Sequence, residues 1–358
     1  MARYVVVGAG AIGGALGGRL VQHGRDAVLV ARGEHQRVMA TSGLRLRTPT
    51  EDLRLPVAAP ASPDEVHLTT DDVLVMATKA HQLEAALTTW TSRPVHDGAG
   101  ADAAVLGTAG DLLPVLLALN GVAGETMALR HFARAYGVCV WSPAVHLAPG
   151  EVLVRAAPLS GVLHVGRVPA GLTDDRDRVL LQQVSEDWTA ATFRVELPDD
   201  VMPWKYNKLL QNLGNIVTAL VGDADGSDVV VAAQEEGRAV LDASGLAHVA
   251  DEVERVRRES TFDVVDVPGT PPGPGGSTWQ SLARGTGNLE TDYLNGEISL
   301  LAHRLGRRAP VNTALTGLAR RAAEQGWAPG TLTPDQLRAA LPRSAAAHRG
   351  TGNRTDPR

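Results

Sequence analysis

Tyr4-Val5-Val6-Val7-Gly8-Ala9-Gly10-Ala11-Ile12-Gly13 sets four strand-forming residues before glycines at G-x-G-x-x-G spacing, with small and apolar residues of helical type beyond them. That order decides the fold. A strand running straight into a glycine turn and a helix is the start of a βαβ unit, in which the glycines have separate duties. Gly8 permits the tight turn, Gly10 lets the backbone approach a pyrophosphate, and Gly13 lets helix and strand pack closely. The free N–H groups of the helix start face the anion. Gly8, Ala9, Gly10, Ala11, Ile12 and Gly13 are therefore the expected cofactor-binding turn, the alternative being a glycine turn that merely packs. Gly14, Gly17 and Gly18 read as helix-packing residues.

Working outward, residues 11–23 predict a helix stopped by Gly24, residues 27–31 a second strand, 72–77 a later buried strand and 81–88 the helix after it. Residues 91–111 break this rhythm with Gly, Ala, Pro and Asp and predict a surface excursion. Between 136 and 168 strand-like pieces separated by turns predict antiparallel additions to the sheet. Leu197-Pro198 marks a hinge, because proline disfavours helix at the residue before it. Beyond it the pattern predicts helices over 202–220, 229–245, 248–259, 288–305 and 312–325, with a Pro/Gly loop at 267–277. The expected architecture is α/β, an N-terminal Rossmann-type doubly wound sheet over 1–197 and a C-terminal all-α domain over 198–341, with a disordered tail at 342–358.

Composition excludes other classes. The chain has 358 residues, enough for about two domains with their own cores. A lone cysteine, Cys139, forms no internal disulfide and favours a reducing, cytoplasmic setting. A net charge of -6 creates no field for nucleic acid or an anionic membrane, and no run of 18 apolar residues predicts a membrane span. The histidines show no metal-ligand spacing, so no metal is expected.

Arg32 follows the second strand, nineteen positions after Gly13. An acidic residue there would accept from a ribose 2′-OH, whereas arginine suits a 2′-phosphate, so NADPH/NADP+ is the expected cofactor. Glu34, two residues on, either weakens that phosphate site or pairs with Arg32.

Lys208, Asn212 and Asn215 fall at spacings of four and seven in one predicted helix and so share a face. Flanked by Leu209, Leu210, Leu213 and Ile216, they read either as a solvated surface or as a stripe lining a polar cleft. Glu290 lies near another helix start, where a carboxylate caps the helix dipole or meets a ligand. Ser277 either caps a helix or reaches into a cleft. Lys79 and Asn120 stand at strand ends, on the edge where open α/β sheets bind ligands.

GAGAIG, Lys79, Asn120-Gly121, KLLQNLGN and ETDYLNG, in that order over residues 4–325, resemble the ketopantoate reductase (2-dehydropantoate 2-reductase) family. The resemblance implies a Rossmann domain joined to a helical one, with NADPH and a 2-oxo acid meeting in the cleft. It implies Lys208 as general acid, Glu290 and Ser277 as substrate contacts, Asn212 and Asn215 as pocket residues, and Lys79 and Asn120 near the nicotinamide ribose. Within it Leu119 stands where Gln usually precedes Asn-Gly, and Thr291 stands for an Ile. A second reading therefore keeps the chemistry and changes the substrate to another 2-oxo acid or a secondary-metabolite ketone. A third makes the chain a non-catalytic dinucleotide sensor, which the retained Lys208 and Glu290 argue against. The Ala/Leu-rich helical half offers a surface for a homodimer.

Overall fold

Short Val- and Leu-rich runs become the strands of a seven-stranded sheet in the computed structural model, which describes residues 2–100, 102–270, 276–285 and 289–342. They are β1 (Arg3–Val7), β2 (Ala27–Val30), β3 (Asp72–Met76), β4 (Pro114–Leu117), β5 (Arg134–Trp141), β6 (Gly161–Val168) and β7 (Phe193–Glu196). Their spatial order is β7-β6-β5-β4-β3-β1-β2. The first five run parallel, β6 pairs antiparallel with β5, and β7 runs parallel to β6. The expected antiparallel addition is thus β6, whereas Glu151–Val154 leaves the main sheet for a four-stranded one with Ala144–Val145, Leu44–Arg47 and Asp52–Leu55.

Helix α1 (Ala11–Gln22) packs through its glycines. A Cβ at Gly17 would sit 2.8 Å from the Leu29 side chain and one at Gly18 2.9 Å from that of Leu44, so a larger residue would have to push those leucines aside. Leu20, Leu29 and Leu44 are fully buried as a result, and each such burial contributes about 1.5–3 kcal/mol. Helices α2 (Gly33–Ser42), α3 (Ala80–Thr91), α4 (Ala123–Ala128) and α5 (Asp175–Ala190) also belong to the α/β part. In the expected excursion at 91–111, strand Pro94–His96 pairs with Leu68–Thr69 and with Val105–Thr108, while Val105 and Leu106 stay exposed.

The chain divides into two compact units, Met1–Asn212 with Leu241–Pro274 and Leu213–Val240 with Gly275–Arg358. These divisions differ from the hinge expected at Pro198, for a packing reason. Val201 is fully buried, and a Cβ on Gly137 of β5 or on Gly166 of β6 would come within 2.9 or 3.1 Å of its side chain. That contact holds α6 (Met202–Asn212) to the sheet. Strand Phe262–Val264, between the helix expected to end at 259 and the loop expected from 267, pairs antiparallel with Ala156–Pro158 and returns the chain to the first unit. Residues 343–358 of the expected tail lie outside the described residues.

The single helix expected over 202–220 breaks at Leu213-Gly214, and α7 (Asn215–Val221) starts afresh. Two contacts in the second unit explain the break. A Cβ on Gly214 would lie 2.8 Å from Val230 of α8 (Ser227–Ala243), and buried Asn295 donates to the Leu213 carbonyl at 3.1 Å. Asn295 also donates to Asn312, which donates to the Ala233 carbonyl and to Glu236. Asn312→Ala strands several buried polar groups at once, so a loss of about 1–3 kcal/mol is expected. Urea denaturation checks it, and an unchanged midpoint would show that the network contributes nothing.

Helix α9 (Asp251–Glu259) belongs to the first unit, and α10 (Ser277–Ala283), α11 (Asn295–Arg304), α12 (Pro310–Glu324) and α13 (Pro334–Ala339) belong to the second. Among the described residues no helix is long and apolar enough to cross a membrane.

Candidate functional site

The carboxyl ends of β2, β1, β3 and β4 lie side by side, because Val7 pairs with Val30 and Met76, and Met76 with Leu117. The residues just past those ends therefore share one edge: Arg32 after β2, the turn Gly8 to Gly13 after β1, Lys79 after β3 and Asn120 after β4. This is the edge at which parallel sheets present ligands.

The turn's geometry fits a pyrophosphate. Gly8 has φ +98°, a conformation that glycine adopts without strain, and a Cβ there would sit 2.9 Å from the Thr78 nitrogen. At Gly13 a Cβ would collide with the Gly8 carbonyl, whereas at Gly10 it would meet nothing within 4 Å. Open space therefore stands over the start of α1, where N-cap Gly10 has no side chain to satisfy the first N–H groups. Those groups and the positive end of the helix dipole suit an anion. Arg32 is the exposed N-cap of α2, and Glu34 pairs with Arg37. The carboxylate near the expected phosphate site is thus engaged along its own helix.

Lys208, on α6, donates to the Val140 carbonyl in β5, and its ammonium lies 5.0 Å from the Trp141 ring centre. Arg258 of α9 lies over the same ring at 4.9 Å. One turn before Lys208, Lys205 forms an ion pair with Glu125, both side chains being 2% exposed. Its Nζ also lies 3.4 Å from the Leu119 carbonyl, next to Asn120. Burial pushes the Glu125 carboxyl above its ordinary range, and the Lys205 ammonium opposes that shift. Burial likewise raises Cys139 to about 11, keeping the thiol protonated. Burial also raises the Glu254 carboxyl, against the attraction of Arg258 and Lys208.

Sequence reasoning missed Lys205, Glu125, Glu254 and Trp141. Two lysines three apart on one helix give no local sign of which is buried. Glu125 follows Asn120 by five residues and is ordinary until the fold faces it with Lys205.

The stripe expected of Lys208, Asn212 and Asn215 does not lie on one helix, since Asn215 begins α7 after the break. Lys208 and Asn212 fall in the first compact unit, and Asn215, Ser277 and Glu290 in the second. Within the second unit α10 packs on α7, and a Cβ on Gly276 would lie 3.4 Å from the Asn215 side-chain oxygen. That brings Asn215 beside the start of the helix opened by Ser277. Glu290 opens a short 3-10 turn, Glu290–Tyr293, in which Asp292 pairs with Arg320. Among the described residues no group of three or more His, Cys, Asp or Glu gathers as a metal site requires.

Two family models cover most of the chain: "Ketopantoate reductase PanE/ApbA" matches residues 4–170 and "Ketopantoate reductase PanE/ApbA C terminal" matches residues 200–323. The chain belongs to the ketopantoate reductase family. As a member of that family it is an oxidoreductase. The 2-dehydropantoate 2-reductase of Pyrococcus horikoshii is 24% identical over 330 residues, 88% of this chain and 96% of that protein. A solved PanE/ApbA family ketopantoate reductase from Ralstonia eutropha JMP134 superposes with a TM-score of 0.70 at 25% identity, covering 90% of this chain and 99% of that one. D-mandelate dehydrogenase, solved with NADH and anilino(oxo)acetate, gives a TM-score of 0.70 at 21% identity, over 91% of this chain and 99% of its own, a likeness of fold.

Proposed function

We propose that the protein reduces a 2-oxo acid with NADPH, 2-dehydropantoate to pantoate in pantothenate biosynthesis being the first candidate, and that Lys208 is the general acid. One observation supports this above the others: the cofactor-type edge and Lys208 belong to the same compact unit. Bound NADPH supplies the hydride for the carbonyl carbon. The chain's own residues do the remaining work. The Gly8 to Gly13 turn receives the pyrophosphate, Arg32 the 2′-phosphate, and Lys79 and Asn120 the nicotinamide ribose. The Lys208 ammonium stabilises the charge that grows on the ketone oxygen and gives it a proton, so the ketone leaves as an alcohol. Glu290 and Ser277 contact the substrate, while Asn212 and Asn215 shape its pocket. A cytoplasmic homodimer is the proposed state.

NADPH oxidation assayed with 2-dehydropantoate beside a panel of other 2-oxo acids tests the reading. Turnover of another acid only would favour the second substrate class, which the fold likeness to a mandelate dehydrogenase and the Leu119 difference support. Cofactor binding with no turnover of any acid would leave a sensor. Arg32→Ala is expected to weaken NADPH binding by about tenfold or more, the loss of a charge-assisted contact worth ~1.5–3 kcal/mol, with NADH little changed. Titration of both cofactors reads it, and an equal effect on the two would remove Arg32 from the phosphate site.

A further inference from the structure

We propose that His35 is a positioning residue of the dinucleotide edge, its neutral imidazole holding the glycine turn and the helix that begins at Arg32 in one arrangement. The inference rests on the functional reading above. The Gly150 N–H donates to His35 Nδ1 at 2.8 Å, and His35 Nε2 lies 2.7 Å from the Ala9 carbonyl. A backbone N–H only donates, so Nδ1 is bare. The single ring proton therefore sits on Nε2 and is donated to Ala9. Ala9 is inside the glycine turn, and His35 is in the first turn of α2, three residues after Arg32. One ring thus joins the segment expected to meet the pyrophosphate, the helix start expected to meet the 2′-phosphate, and the turn at Gly150.

Both ring nitrogens are committed, which makes the arrangement sensitive to a second proton. An imidazolium would set N–H against N–H at Gly150. Among the described residues, the charged and titratable groups around it add no carboxylate to stabilise that form. His146 faces the ring at 4.2 Å between centres, and the turn contributes only the Ala9 carbonyl. On α2 Glu34 and Arg37 pair with each other, and Glu151, beyond Gly150, pairs with Arg45. Burial, and then His146, hold the imidazole below its ordinary 6.5. With the folded value depressed, the clamp is intact above the ordinary value and is lost as pH falls through the folded one.

The test is NADP+ titration at about pH 7.5 and about pH 5.5 of the wild type, His35→Ala and His35→Gln. Glutamine keeps a donor for Ala9 and does not titrate. We expect His35→Ala to weaken binding about tenfold at the higher pH, and His35→Gln to stay within about threefold of wild type. On acidification the wild type should lose more affinity than His35→Gln, a difference from which the cofactor phosphate's own titration cancels. Thermal denaturation of each variant separates loss of the clamp from loss of the fold. Binding by His35→Ala equal to wild type, with parallel pH curves, overturns the inference alone. Absence of dinucleotide binding in the wild type overturns the functional reading and the inference with it.

Discussion

Lys208→Ala is expected to lower kcat by about two orders of magnitude or more, with cofactor affinity near that of the wild type. Hydride addition to a ketone leaves negative charge on oxygen, and a positioned ammonium lowers the barrier by stabilising that charge and by giving up a proton. Lys208 has an anchor on each side, the Val140 carbonyl and the Trp141 face, so the ammonium is held before substrate arrives. Lys208→Arg keeps the charge but replaces a compact ammonium with a planar fork that does not release its proton, so it should rescue little. Steady-state kinetics on whichever 2-oxo acid is turned over will show this. Near-normal kcat in the alanine variant would remove Lys208 from the chemistry.

Lys205→Met should have the largest effect on stability. Lys205 and Glu125 are both 2% exposed, and Glu125 Oε2 has no hydrogen-bond partner among the described residues, so the lysine is what balances that charge. Removing one partner of a buried pair costs about 3–5 kcal/mol, a fall in Tm on the order of 10 °C. The pH dependence has a definite sign. Burial raises the Glu125 carboxyl, and the Lys205 ammonium opposes that shift. Without the lysine the shift is unopposed: the variant should regain stability on acidification and lose it as pH rises through the folded value. Lys205→Met with Glu125→Leu removes both charges and should recover most of the loss. A double variant no more stable than Lys205→Met would show that the pair's charge is not the source of the cost.

The glycine turn was legible because its requirement is local. A positive φ at Gly8 and a backbone clash at Gly13 are properties of a few consecutive residues. The strand-end positions of Arg32, Lys79 and Asn120 were legible for a related reason, since each follows a buried apolar run and parallel strands align such ends. The helix break at Leu213-Gly214 was not legible. One glycine costs a helix only about 1 kcal/mol, and the break depends on Val230 and Asn295, the latter 82 residues along the chain. Phe262–Val264 escaped for the same reason. Three residues carry no period, and their partners, Ala156–Pro158, lie about a hundred residues earlier. Choosing between Lys205 and Lys208 needed the position of Glu125, which only the assembled sheet supplies.

The interrupted path of the first compact unit bears on how the chain folds as it is made. Its residues run to Asn212, pause while 213–240 enter the second unit, and resume from Leu241 to Pro274. A nascent chain released at 197 would have finished all seven strands of the main sheet, yet it would hold Glu125 without Lys205 and Ala156–Pro158 without its pairing strand. Every strand of the main sheet therefore precedes residue 197, whereas the partners of Glu125 and of Ala156–Pro158 come from later segments, so the contacts of the first unit are complete only once the chain has passed residue 264.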